Sequence, residues 1–167
     1  MADETEKETN AGGEAEGAAQ ISLNVIGQYI KDLSFESPGA PNSLQSDGPA
    51  PKLEVSVNVQ ASGNGESLYE TVLTVHAHAK RGEDVVYNVE LVYGGMFRIE
   101  NAPQQILQQI LLIDCPAILF PFARRVIADV SRDGGFPPLM LDPIDFRSLY
   151  ARNMANAQAQ ASASQAN

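Results

Sequence analysis

An apolar run broken twice by proline constrains this chain most. Asp114-Cys-Pro-Ala-Ile-Leu-Phe-Pro-Phe-Ala-Arg-Arg125 places Pro116 and Pro121 five residues apart where the other side chains favour helix. A proline inside a helix removes a hydrogen bond and costs roughly 3 kcal/mol. The segment therefore needs tertiary contacts along an apolar stripe, here Leu119, Phe122, Ala123, Val126, Ile127 and Val130. Asp114 or Cys115 is expected to cap this helix, with Pro116 near its first position. Gly134-Gly-Phe-Pro-Pro138 should stop it. Asp142 is expected to cap a last helix that begins at Pro143, has Asp145 in its first turn, and turns Phe146, Leu149, Tyr150 and Met154 inward. A separate helix after Pro103 is marked by Ile106, Leu107, Ile110, Leu111 and Ile113.

Before residue 100 the period is two. Ile21 to Glu36 carries Ile21, Leu23, Val25, Tyr29, Leu33 and Phe35 on one parity, with Ile26 and Ile30 as exceptions on the other. Leu53, Val55, Val57 and Val59 alternate with polar residues across Lys52 to Ala61. Thr71, Leu73, Val75 and Ala77 do so in Tyr69 to Lys80, and Val85, Tyr87, Val89, Leu91 and Tyr93 in Asp84 to Tyr93. These are half-buried strands. Short Gly-bearing turns at residues 62–66 and 81–84 make the last three strands antiparallel. Ser37 to Pro51, rich in Pro and Gly, is a long crossover, and Gly94-Gly95 is expected to end or bend the fourth strand. Strands first and helices second predict an α+β domain, a four-stranded antiparallel sheet with helices packed on one face. The opposite face then collects Asp32, Glu36, Glu54, Glu70 and Glu90.

Three segments follow from composition. Residues 1–20 hold six acids and one lysine, and are expected to be a disordered acidic tail. Residues 21–152 form the folded domain, and 153–167 read as an uncharged low-complexity tail. The net charge of -10 disfavours nucleic acid and anionic membranes, and permits a basic protein partner. An acidic start without an apolar segment, no long uninterrupted apolar run and a single cysteine, Cys115, predict a cytoplasmic chain with no direct membrane insertion.

Catalytic motifs are missing from the sequence. None of the four lysines follows a glycine, so no P-loop is encoded. No Gly-x-Ser-x-Gly elbow and no His-Glu-x-x-His helix occur. His76 and His78 share a strand face, but with one distant cysteine they read as solvated histidines, with no metal. Cys115 reads as a buried structural thiol. We expect neither an enzyme nor a cofactor.

Four blocks in register carry a resemblance. Cys115-Pro-x-x-Leu119-Phe-Pro-Phe-Ala-Arg124 is followed by Arg132-x-Gly-Gly-Phe136-Pro-x-Leu-x-Leu141-x-Pro143-x-x-Phe146-x-x-Leu149. Tyr29-Ile-Lys-Asp32-Leu-Ser-Phe35-Glu36-x-Pro38-x-Ala-Pro41 and Glu90-x-x-Tyr-Gly94-Gly95-x-Phe97-x-Ile99 precede them. Together they resemble the SecB family of bacterial export chaperones over roughly residues 21 to 152. The resemblance implies a homotetramer, a dimer of dimers, that binds unfolded preproteins without ATP and delivers them to the SecA motor. It implies SecA-binding residues Asp32, Glu36 and Glu90, and tetramer contacts from Val89, Leu91 and Tyr93. Candidate client-lining residues are Leu44, Phe97, Leu141 and Tyr150. Many relatives carry a tryptophan in the crossover, where this chain has Asp47-Gly48. The alternatives are a SecB-like chaperone of a toxin–antitoxin system, and a small-ligand-binding or enzymatic α+β domain.

Overall fold

The computed structural model describes residues 20–45, 48–63 and 65–165, so the acidic tail lies outside the described residues apart from Gln20. Four strands, β1 (Ser22–Glu36), β2 (Lys52–Gly63), β3 (Leu68–Arg81) and β4 (Asp84–Glu100), form one antiparallel sheet in the order β1-β4-β3-β2. The α+β class and the four strands are as the alternation predicted. The order explains the connections. Hairpins link β2 to β3 and β3 to β4, whereas the crossover must carry the chain between opposite edges. In the β3–β4 turn, Gly82 takes the positive φ of 63° that so tight a return requires.

The strand β4 does not stop at Gly94-Gly95 but continues to Glu100. The two glycines instead thin the sheet on both faces. A Cβ on Gly94 would meet the Tyr29 ring at 2.6 Å, and one on Gly95 would meet Leu119 at 2.6 Å. The strand β1 also departs from its expected parity. Bulges between Val25 and Gly27 and between Ile30 and Asp32 shift its register against β4 twice. Each bulge reverses the side-chain alternation. Leu23, Leu33 and Phe35 therefore face the helices as expected, but Tyr29, paired with Gly94, crosses to the polar face.

Helix and sheet meet over β3 and β4. The helices α1 (Gln104–Gln109) and α2 (Cys115–Asp133) are joined by a π turn, Ile110–Asp114, in one helical run. The expected helix start at Asp114 or Cys115 is thus a continuation: Asp114 is helical, with φ -76° and ψ -45°, and caps nothing. In the π turn the Cys115 N–H bonds to the Ile110 carbonyl, five residues back. That wider turn lies next to Pro116, which has no N–H to offer the next carbonyl. Pro121 sits on the exposed outer side, as does Ala117, whose carbonyl it leaves without a helical donor. Solvent can serve that carbonyl there. The run is long and apolar enough to meet the criteria for a membrane span, but its inner side is occupied. Cys115, Leu119, Ala123 and Ile127 are fully buried in one core with Leu73, Val75, Leu91 and Phe97.

The run ends in a Schellman motif. Gly135, at φ 88°, donates to the Arg132 carbonyl, and Phe136 N–H to that of Ser131. An extended strap, residues 137–145, then lays Leu139 and Leu141 into the core. Ser131 holds it: Oγ accepts from Leu139 N–H at 2.8 Å and lies 2.9 Å from the Ile127 carbonyl it donates to. The last helix, α3 (Phe146–Gln165), is capped by Asp145 rather than Asp142. Asp145 Oδ1 accepts from the Arg147 and Ser148 N–H groups, and Oδ2 accepts from Ser148 Oγ. Ser148, at the third helical position, can answer the cap, and this moves the start three residues on. These bonds hold the Asp145 carboxyl below the usual range. The helix also runs to Gln165, through residues expected to be low-complexity tail. Residues 151–162 are exposed, so alanine and glutamine propensity rather than burial sustains it.

Candidate functional site

Two surfaces stand out, one apolar and one acidic, on opposite faces of the sheet. The apolar one arises because the long helical run covers β3 and β4 but leaves β2 largely bare. Leu53, Val55, Val57 and Val59 point to the helix side, in register with Ala79, Ala77, Val75 and Leu73. Those β3 partners are at most 2% exposed, while Leu53 and Val55 remain 39% and 44% exposed. From Leu53 to Val59 this row extends about 20 Å at the usual strand rise.

A depression lies at each end of the row. The larger, about 520 Å³, is lined by Leu44, Pro51, Leu53, Tyr87, Phe136 and Leu139 among others. Tyr87 and Phe136 meet there as a tilted pair with ring centroids 4.9 Å apart, and Phe35 stacks on Tyr87 at 5.8 Å and lies 6.3 Å from Phe136. Burial raises the Tyr87 phenol pKa. The crossover forms its outer wall, held by Arg81 Nε donating to the Pro49 carbonyl at 3.0 Å. The smaller, about 110 Å³, is lined by Val59, Leu112, Leu149, Tyr150, Asn153 and Met154. Leu44 and Tyr150 thus border the trough. Phe97 and Leu141 do not: at 0% and 5% exposure they belong to the core, beneath the helices and strap. Sequence reasoning missed Leu53, Val55 and Phe136. Alternation marks the apolar face of a strand, but not whether a helix covers it.

On the other face Asp32, Glu36 and Glu90 lie close together. Glu90 is opposite Ser34 on β1, one side-chain step from both Asp32 and Glu36. Glu36 and Glu90 share a shallow depression with Ser34, His76, His78 and Asn88. His76 Nδ1 is 3.6 Å from Glu90 Oε2. Two further acids of this face, Glu70 and Glu54, are engaged by lysines. Glu70 accepts from Tyr29 Oη and from Lys31 Nζ at 2.8 Å, bonds that hold its carboxyl below the usual range. Desolvation, with Glu70 alongside, pushes the Tyr29 phenol up to about 12. Lys52 pairs with Glu54 at 3.1 Å and lowers its pKa. Among the described residues no cluster of His, Cys, Asp or Glu has the makings of a metal site. The Cys115 thiol is buried, and that burial pushes it up to about 12, far from a reactive thiolate.

Val89, Leu91 and Tyr93 are 2%, 0% and 8% exposed, sealed within the chain's own core. Beyond the trough, uncovered apolar side chains include Val25, Ile26, Ile30 and Leu33 on β1, and Ile106 and Phe122 on the outer side of the helical run.

Residues 16–157 match the family model described as SecB, preprotein translocase subunit SecB. The Protein-export protein SecB of Agrobacterium fabrum is 54% identical over 147 residues, 88% of this chain and 92% of that one. Those of Mesorhizobium japonicum and Brucella canis are 52% and 49% identical, covering 89% and 96% of this chain and 89% and 97% of theirs. Among solved structures, a Mycobacterium tuberculosis SecB-like chaperone in complex with a ChAD peptide from the HigA1 antitoxin aligns at TM-score 0.61. It is 12% identical, over 73% of this chain and 90% of that one, a likeness of fold.

Proposed function

The chain belongs to the SecB family of preprotein translocase subunits, and from that premise we propose that it is an ATP-independent export chaperone which holds unfolded preproteins in the trough along β2. The observation that carries this reading is the row of exposed and half-buried apolar side chains on a regular edge strand, with an apolar depression at each end. Burial of apolar area yields about 25 cal/mol per Å², so an extended client segment gains a little at each of several sites. A folded protein hides the same side chains. The trough therefore selects chains that have not yet folded.

Leu44 and Tyr150 remain our client-binding residues, joined by Leu53, Val55 and Phe136, whereas Phe97 and Leu141 support the trough from the core. We assign delivery to the SecA motor to Asp32, Glu36 and Glu90, which lie close together on one face and have no lysine partner among the described residues. Assembly as a tetramer, a dimer of dimers, is supported by the uncovered apolar side chains of β1 and of the outer helical surface. Val89, Leu91 and Tyr93 contribute to that assembly from beneath, by fixing the sheet against its helix. The working domain is residues 21–152, in the cytoplasm.

Val55→Asp tests the trough. A charge at that exposed position should leave the melting temperature nearly unchanged and weaken retention of a urea-unfolded preprotein about tenfold, the equivalent of 1.4 kcal/mol. Retention equal to the parent in a folded variant would remove the trough from the reading.

A further inference from the structure

The acidic face carries two imidazoles. His76 and His78 point to the same side of β3 as Glu90, and both line the depression that Glu36 and Glu90 share. His76 lies across the ladder from Glu90, with side chains 50% and 44% exposed, so both groups meet solvent and any docking partner together. The groups around them are few. From β4 come Glu90 and Asn88; from β1, Ser34 and Glu36. From β2, Ser56 pairs with His76 and Glu54 with His78, and the neighbouring cations are Lys52 and Lys80. The helices lie on the opposite face.

Imidazole is the side chain whose charge changes between about pH 5 and 8. When neutral, the pair leaves the face its carboxylates. When protonated, it adds two positive charges among them, within the Debye length of about 8 Å at physiological salt. We propose that His76 and His78 make the acidic face a pH-dependent docking surface, open to a basic polypeptide segment above neutrality and progressively closed below it. The effect is local: Asp32, set toward β1, keeps part of the attraction. This inference rests on the reading of the acidic face as the docking site, and it adds the control of that site.

The test uses the full chain and a peptide of lysine, arginine and glycine only, which has no apolar side chain for the trough. Its affinity should fall about three- to tenfold between pH 8 and pH 6, the scale expected of exposed charge pairs. In a His76→Gln, His78→Gln variant that slope should vanish, with the pH 8 affinity retained. A variant with the parent's slope overturns the role of the histidines while leaving the docking reading intact. A Glu90→Lys variant that binds the peptide at pH 8 as well as the parent overturns the docking reading, and this inference with it.

Discussion

The two edge strands of the sheet, β1 and β2, start from the same kind of alternating sequence and end as different surfaces. The strand β2 pairs with β3 without a register shift from Lys52 to Gly63. Its apolar parity therefore stays on one face and forms a continuous row. The strand β1 is shifted twice against β4. Its apolar residues are dealt to both faces, with Val25, Ile26, Ile30 and Leu33 exposed along the edge. A regular edge keeps one sticky face, suited to an extended chain of any sequence. A bulged edge scatters its apolar atoms into a shaped patch, better suited to one particular surface. On our reading these partners are the client and a second copy of the chain.

That contrast can be broken by matched substitutions. Ile30→Asp on β1 should have the largest effect, converting the assembled protein to smaller species in light scattering. Val55→Asp on β2 should leave the assembly intact and change client retention alone. If Ile30→Asp kept the full assembly, the division of labour between the edges would be wrong. Gly94→Ala comes next, because the added carbon would press on the Tyr29 ring that the bulges bring over β4. We expect a loss of about 1–3 kcal/mol in chemical denaturation; a neutral result would mean that the ring moves freely.

Tyr29→Phe should be the mildest, about 0.5–1 kcal/mol, since it removes one exposed hydrogen bond to Glu70. It should also alter the acid limb of stability. The Glu70 carboxyl is held below its usual range by Lys31 and Tyr29. Its contribution is therefore present above the ordinary carboxylate range and is lost as pH falls through the lowered folded value. A denaturation series across acid pH should show a smaller loss in the Tyr29→Phe variant than in the parent. Identical limbs would show that the bond carries no linkage.

What the sequence revealed and hid follows the same line. Strand existence, pairing sense and the acidic face were legible, because period-two alternation and short Gly-bearing turns report them directly. The bulges were not: alternation looks normal on either side of an inserted residue, so Tyr29 was read onto the wrong face. Pro116 looked like a helix start because a proline fits a first turn, and the π turn that admits it into a longer run has no residue signature. Asp142 and Asp145 both precede helix-forming residues, and the answering Ser148 decided between them. In the site, Phe97 and Leu141 were plausible lining residues until burial placed them in the core. Leu53 and Val55 became visible only once the helical run had shown which strand it leaves uncovered.

Ser131 offers a clock as well as a joint. The Leu139 amide hydrogen is held by a hydroxyl that is itself anchored in the helix, and the Leu139 side chain walls the larger depression. Exchange of that hydrogen for deuterium requires the strap to lift from α2. Its rate therefore reports how often the trough loses one wall, at a single backbone position and without any label attached to the client.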